Sequence, residues 1–386
     1  MRGGVIRTTL RIGTMERHNN KLQSGCLERK GFTLIEMLVS SAVMLIVIMG
    51  ALTLYMKTNK VAVDQEAFSE MQHDIRIGTH FVTRAVRSAG VGLPPEFVGY
   101  YIEGTDNEDQ GAEVDPDRLT IMGNLEDPLN LPIANYQGSA VNLAVEDFSF
   151  EQYPYPDEYY DSMVVLILPN PDSGCLYGQV REITHVSHAA TGTNEKLNFS
   201  PGLSVEFNPP GGLSGTCPSS DDYDGGTVAF VNIKEFWLDV TGNYSGLSAG
   251  VNGYIGNGEG GILYMTENGI HYPLAQNVEN LQFQYNGDFN DDDLLDGYMD
   301  WQNGVWTGDA VMVSRISQVR VWVLGRTARP FVSKSGTPAA NLHLYRRPLI
   351  ANSPAAALDD NRRRFLLDST VNVRNRTLNL YNLGIR

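Results

Sequence analysis

Lys30-Gly31-Phe32-Thr33-Leu34-Ile35-Glu36-Met37, continued by an apolar run to Tyr55, is the stretch that decides the fold of this chain. Arg29 and Lys30 stand before a glycine, and the nineteen residues from Met37 to Tyr55 carry no charge. About 20 apolar residues span the hydrocarbon core of a bilayer as a helix. One carboxylate, Glu36, sits just inside the N-terminal end of the run. An unpaired charge is costly in lipid, so an ionisable residue kept there points to function.

A cleaved secretory signal would have a shorter apolar core and small residues at its C-terminal end. The run ends instead Ala51-Leu52-Thr53-Leu54-Tyr55-Met56-Lys57. A plain anchor leaves the block Gly-Phe-Thr-Leu-Ile-Glu without a reason. That block, with its basic leader, resembles the class III signal of type IV prepilins and pseudopilins. The resemblance implies cleavage by a prepilin peptidase after Gly31, N-methylation of Phe32, and an assembly role for Glu36, fifth residue of the mature chain.

Working outward, residues 1–31 form a polar, basic leader without apolar periodicity, held on the cytoplasmic side by the positive-inside rule. Met15 is a second candidate start. Residues 32–56 are the transmembrane or filament-core part of a helix, and 57–92 its amphipathic part. Val61, Phe68, Ile75, Val82 and Ala89 recur every seven residues, with Met71 and Ala85 between them. From Phe32 to Ala89 such a helix would be roughly 87 Å long at 1.5 Å per residue. Gly90, Gly92 and Pro94-Pro95 end it.

From Leu93 the period switches to two, and short apolar alternations are separated by turns rich in Gly, Asn, Asp and Pro. Residues 93–386 are therefore expected to form a β-rich head with long polar loops, periplasmic or extracellular. Glu267-Asn268-Gly269 between two strand signals predicts a tight hairpin. Gly99–Asp117, Asn208–Gly226 and Tyr244–Gly260 are expected as surface loops. The fold class is α+β: a long N-terminal helix packed on an antiparallel sheet.

The net charge is −16, and near −21 once the leader is gone, because seven basic and two acidic residues precede Phe32. So acidic a chain repels nucleic acid, and no nucleic-acid partner is expected.

Three head segments are similar to minor pilins of the PilW type: Met71 to Gly90, Val278 to Tyr285 with the acidic loop after it, and Arg362 to Arg376. The resemblance implies a minor pilin, a non-catalytic subunit that primes or caps a type IV pilus. Its partners would be the prepilin peptidase, other minor pilins, the major pilin and the bacterial inner membrane. A J-type minor pseudopilin of type II secretion shares this layout. A pilus-tip adhesin using the polar loops is the alternative from another class.

Chemistry-bearing patterns are few. Asp288, Asn290 and Asp292 alternate as the first oxygen ligands of a calcium loop do, with Asp296 at the ninth position. Asp293 replaces the turn glycine and Met299 the bidentate glutamate. Calcium is the one candidate cofactor, and none is required by the reading. Cys175 and Cys217 are the only cysteines after the leader. Outside the cytoplasm they are expected to be bonded to each other. His185 and His188 read as surface residues. Tyr153, Tyr155, Tyr159 and Tyr160 read as a packed loop, and 256–261 as a flexible Gly-rich turn. No H-E-x-x-H or P-loop occurs, and no enzyme is expected.

Overall fold

The computed structural model describes residues 31–91, 93, 101–106, 116–123, 130–137, 140–143, 163–167, 178–187, 196–199, 208, 225–239, 261–267, 270–290, 292, 294–301, 304–306, 310–328, 348–353 and 362–373. The chain divides into two compact units, residues 1–61 and 62–386. One helix, α1 (Leu34–Ser88), contributes to both.

In the first unit α1 is apolar on every side and its side chains are exposed. It is long and apolar enough to cross a membrane. Its hydroxyls are satisfied within the helix: Ser41 Oγ donates to Leu38 O at 2.9 Å, Thr53 Oγ1 to Met49 O at 2.8 Å and Thr58 Oγ1 to Leu54 O at 2.9 Å. A helix in lipid must meet its polar groups internally in this way.

In the second unit α1 lies on an antiparallel sheet. The strands are β1 (Ile102–Thr105), β2 (Arg118–Gly123), β3 (Asn130–Gln137), β4 (Ala140–Leu143), β5 (Met163–Ile167), β6 (Gly178–Glu182), β7 (His185–Ser187), β8 (Lys196–Asn198), β9 (Thr227–Asp239), β10 (Gly261–Glu267) and β11 (Ile270–Gly287), then β12 (Ile316–Arg326) and β13 (Arg364–Asn372) after a single turn of helix, α2 (Ala310–Val313). The main path runs β13-β12-β11-β10-β9-β3-β4-β8-β7, with β2 carrying β1 and β5 carrying β6 as branches from β9.

Strand β9 is the hub. Its first residues, Thr227–Val231, pair with β5 and β3, and its later ones with β2 and β10. The sequence suggests two strands here, broken at 232–234. The strand instead runs through, because its neighbours change there and the backbone stays paired. β11 likewise runs through Pro273. At Pro273 its described neighbour is β10 alone; pairing with β12 begins at Val278. One ladder without a second neighbour tolerates a proline. The switch of partners falls at Asn277, whose φ is 59°, and at a register shift between Val278 and Asn280.

The hairpin signal at 267–270 is met: Glu267 pairs with Ile270, so Asn268 and Gly269 join β10 to β11. Strand β1 lies inside a stretch expected to be a loop, and β3, β4 and β8 were not anticipated. β1, β4 and β8 are short, and β3 includes a proline and two asparagines that mute the alternation.

The core forms between α1 and one face of the sheet. Met71, Ile75, Val82, Ala85 and Val86 of the helix, with Ala89 just past its end, meet Leu263, Leu281 and Phe283, and Val319, Val321 and Val323 from β12. The seven-residue series is buried from Ile75 onward, Phe68 is half-buried, and Val61 is exposed. Two glycines allow the close approach. A Cβ on Gly78 would lie 2.9 Å from Leu263 Cδ2, and one on Gly325 2.5 Å from Ile75 Cγ1. The helix ends at Ser88, one residue before its expected end. Gly90 takes φ 71° and its N–H donates to Met122 O at 2.8 Å, so the turn that stops the helix also ties it to β2.

Polar groups fasten the layers. Asp117 is buried; its Oδ2 accepts from Phe283 N at 2.8 Å, and its own N–H donates to Leu281 O at 2.9 Å. The Asp117 carboxylate thus supplies the acceptor that a strand would give to β11. Tyr101 donates its hydroxyl to Ile316 O at 2.8 Å.

Candidate functional site

The first site is the start of α1. Thr33 is the N-cap. Its N–H and its hydroxyl both donate to Glu36 Oε2 at 2.9 Å, while its Oγ1 accepts from Glu36 N at 3.3 Å. This reciprocal pair is a capping box, Thr-x-x-Glu, and it satisfies two otherwise orphaned backbone donors. The sequence carries the signal for it, and the reading by charge and span length passes it over. Glu36 is therefore partnered within its own chain. Gly31 has no atom within 4 Å of an added Cβ, and Phe32 is 79 % exposed, so both are accessible.

The second site is the loop after β11. Asn290 Nδ2 donates to Asp296 Oδ1 at 2.9 Å and to Asp292 Oδ2 at 3.1 Å. Asp292 N donates to Asp288 Oδ1 at 3.1 Å, Phe289 N to Asp296 Oδ2 at 2.7 Å and Leu294 N to Asp292 Oδ1 at 2.9 Å. The four predicted calcium residues are thus brought into one loop, but as a hydrogen-bonded turn whose centre holds an amide donor. Among the described residues no group of three or more His, Cys, Asp or Glu side chains is placed to hold a metal ion.

Behind this loop sits an aromatic cluster. Trp306 lies 5.7 Å from Tyr285, 5.6 Å from Trp301 and 5.1 Å from Phe289 between ring centroids. Tyr285 is fully enclosed. Burial pushes its phenol well above the ordinary range, and Asp117, Asp106 and Glu103 push it further in the same direction. It stays protonated and packs the neck of the loop, where it also forms a bridge with Met299.

The remaining sequence candidates divide simply. His185 lies exposed on β7. Cys175, Cys217, His188 and the tyrosines of 153–160 lie outside the described residues, as does 256–260.

Comparison with known proteins gives one finding. The family described as "Prokaryotic N-terminal methylation motif" matches residues 28–52. No curated protein matches the chain, and no solved structure does. The match and the exposed capping-box helix are one feature seen twice, since residues 28–52 contain Gly31, Phe32, Glu36 and most of the apolar span. The motif marks a type IV prepilin-like protein, and the long apolar helix packed on an antiparallel sheet is a pilin-like α+β fold. The motif implies processing by a prepilin peptidase. Proteins of this kind are typically non-catalytic structural subunits. The membrane-length helix is consistent with an inner-membrane or pilus location.

Proposed function

We propose that the chain is a minor pilin, most like the PilW type, that primes or caps a type IV pilus without catalysing a reaction. Cleavage after Gly31 would free the amine of Phe32 for methylation. The apolar part of α1 would hold the subunit in the inner membrane with its head in the periplasm. It would then move into the fibre beside other minor pilins and the major pilin.

The observation that supports the reading is the contrast within α1: a motif-led segment apolar on all sides, joined to a segment with one buried stripe. The first suits a lipid or fibre interior, and the second carries a head. Glu36 adds the mechanism. Before assembly its carboxylate is held by Thr33, so the charge is not left bare at the edge of the apolar run. On assembly those contacts would be exchanged for the amine of a neighbouring subunit. A buried pair of that kind fixes register more than it stabilises.

Glu36→Leu tests this. Membrane insertion should persist, because leucine is at home in lipid. The share of the subunit in sheared pili should fall about a hundredfold, the scale on which breaking one half of a buried pair acts. Thr33→Val removes the capping hydroxyl and keeps the carboxylate, so it should still enter pili. Equal entry of Glu36→Leu and wild type would rule out the carboxylate as a docking group.

Two smaller proposals belong to the head. Cys175 and Cys217 form a disulfide, checked by alkylation before and after reduction of protein taken from outside the cytoplasm. The loop at 288–296 takes calcium weakly, with the Asn290 amide turned so that its oxygen faces the carboxylates of Asp288, Asp292 and Asp296. Titration calorimetry of the full chain should then show heat that Asp292→Ala loses.

A further inference from the structure

Strand β13 ends the main path of the sheet, and among the described residues β12 is its only neighbour. The two strands pair from Gln318 with Asn372 to Arg326 with Arg364 without a register shift. Just outside this ladder Val373 N donates to Ser317 O at 2.9 Å, and Thr327 N to Arg363 O at 3.0 Å. The odd-numbered residues of β13 therefore bond to β12. By the alternation of an antiparallel ladder, Leu366, Asp368, Thr370 and Asn372 turn their backbone N–H and C=O groups outward. No described residue bonds to those backbone groups. A straight edge of this length invites another strand, and folded proteins guard such edges with proline, a bulge, charge or a cover. β13 has no proline and no bulge, and its two charges are taken up within the sheet, Asp368 by Arg320 and Arg364 by Glu279.

The side chains point the same way. Val371 and Val373 belong to the core under α1, so that core reaches the edge of the sheet, while Leu366 on the other face is 39 % exposed. Residues 377–385 carry no charge and no proline, and Leu378 and Leu380 alternate with polar neighbours. Only Arg374, Asn375 and Arg376 separate them from Val373. A two-residue turn at Asn375-Arg376, where asparagine accepts the left-handed backbone of such turns, brings the segment back antiparallel to β13. That register sets Leu378 beside Val373, Leu380 beside Val371 and Ile385 beside Leu366. A turn one residue longer would set Leu378 and Leu380 beside Asn372 and Thr370, on the exposed face.

We propose that the outer edge of β13 is the docking site of the chain's own residues 377–385, which add to the sheet as its next strand in this register. The segment is tethered two residues from its site, so closing the loop costs little and a strand from another chain competes at a disadvantage. The head then meets other subunits with its edge filled, and strand addition through β13 is closed to partners until the segment is displaced.

The test is amide hydrogen exchange on the full chain in non-ionic detergent, read residue by residue by fragmentation in a mass spectrometer. Leu367, Ser369 and Val371, bonded to β12, should exchange slowly in every form and report that β13 is intact. The amides of Leu366, Asp368, Thr370 and Asn372 should also be slow, by about a hundredfold against an unstructured amide. Tyr381→Pro removes an N–H that faces Thr370 in this register, and it should return these four amides to the unstructured rate. Asn382→Pro removes an N–H that faces away from β13, which an edge strand tolerates, and it should leave them slow. Dilution should change nothing, because the strand comes from the same chain. Unstructured rates at the four amides in the unaltered chain would overturn the proposal. So would equal behaviour of the two proline variants, or protection that falls on dilution, which would mean that a second copy supplies the strand.

Discussion

The two parts of α1 share a backbone and differ in everything their side chains do. Before residue 62 Leu34 keeps 84 % of its surface and Ile46 70 %; after it Met71, Ile75 and Val82 keep none. Both parts are rich in large apolar residues, so apolar content does not decide burial. Pattern decides it. The first part is apolar in every direction, and a helix of that kind belongs in a non-aqueous surrounding. The second confines its apolar residues to one stripe, which a sheet with Val319, Val321 and Val323 on the matching face can cover. Hydroxyls follow the same rule. Thr53 and Thr58 turn back onto their own helix in the exposed part, and Thr79 does so where it is buried, donating to Ile75 O at 2.7 Å.

The contrast can be broken with one pair of variants. Ile75→Ala removes a fully enclosed side chain between α1 and β12 and should cost the head about 2–5 kcal/mol. Ile46→Ala removes a side chain of the same size from the exposed part and should leave head unfolding unchanged. Thermal unfolding of detergent-solubilised chains, followed by near-ultraviolet dichroism, reads both. Equal losses would mean that the two parts are not distinct environments.

A smaller effect sharpens the comparison from the polar side of the second unit. Asp74 is pushed up, first by burial and then by Glu70. Asp368 is held down, first by its hydrogen bonds from Arg320, at 3.0 Å to Oδ1 and 2.5 Å to Oδ2. The signs are opposite. A depressed carboxyl stabilises the fold above its unfolded value, near the ordinary 3.8, and loses that contribution as pH falls through its folded value. Asp368→Asn should therefore cost up to about 1 kcal/mol at neutral pH, the range for an exposed pair, and nothing in strong acid. A raised carboxyl opposes folding once ionised. Asp74→Asn should raise the melting temperature at neutral pH, and the gain should shrink as pH falls through the folded value of Asp74. Melting curves of the two variants between strongly acidic and neutral pH check both directions; parallel curves would reject the assignment.

Legibility in the sequence tracked the range of the interactions. Helix α1, its buried stripe and its glycine stop rest on contacts within a few residues or on a period, and both are written locally. The hairpin at Asn268-Gly269 is local as well. Strands β3 and β4 pair with each other two residues apart, Gln137 with Ala140, so that hairpin is local and was passed over, whereas β9 is one strand only because four others share it. No local signal marks Asp117 as the buried acceptor for Phe283, 166 residues away. At the first site the residue types were readable, and even the capping box was written as Thr33-x-x-Glu36. Glu36 already has a partner in Thr33, which charge and span length do not reveal. At the acidic loop the spacing was readable, but the Asn290 amide at its centre depends on how three carboxylates fold around it.

The most direct test of the central claim is the intact mass of the membrane form, produced with a prepilin peptidase and without it. The account predicts a chain that begins at Phe32 and carries one N-terminal methyl group, and an unmethylated chain that keeps its leader when the peptidase is missing or Gly31 is replaced by leucine. A membrane form that keeps its leader in the presence of the peptidase, or that begins at any other residue, would contradict it.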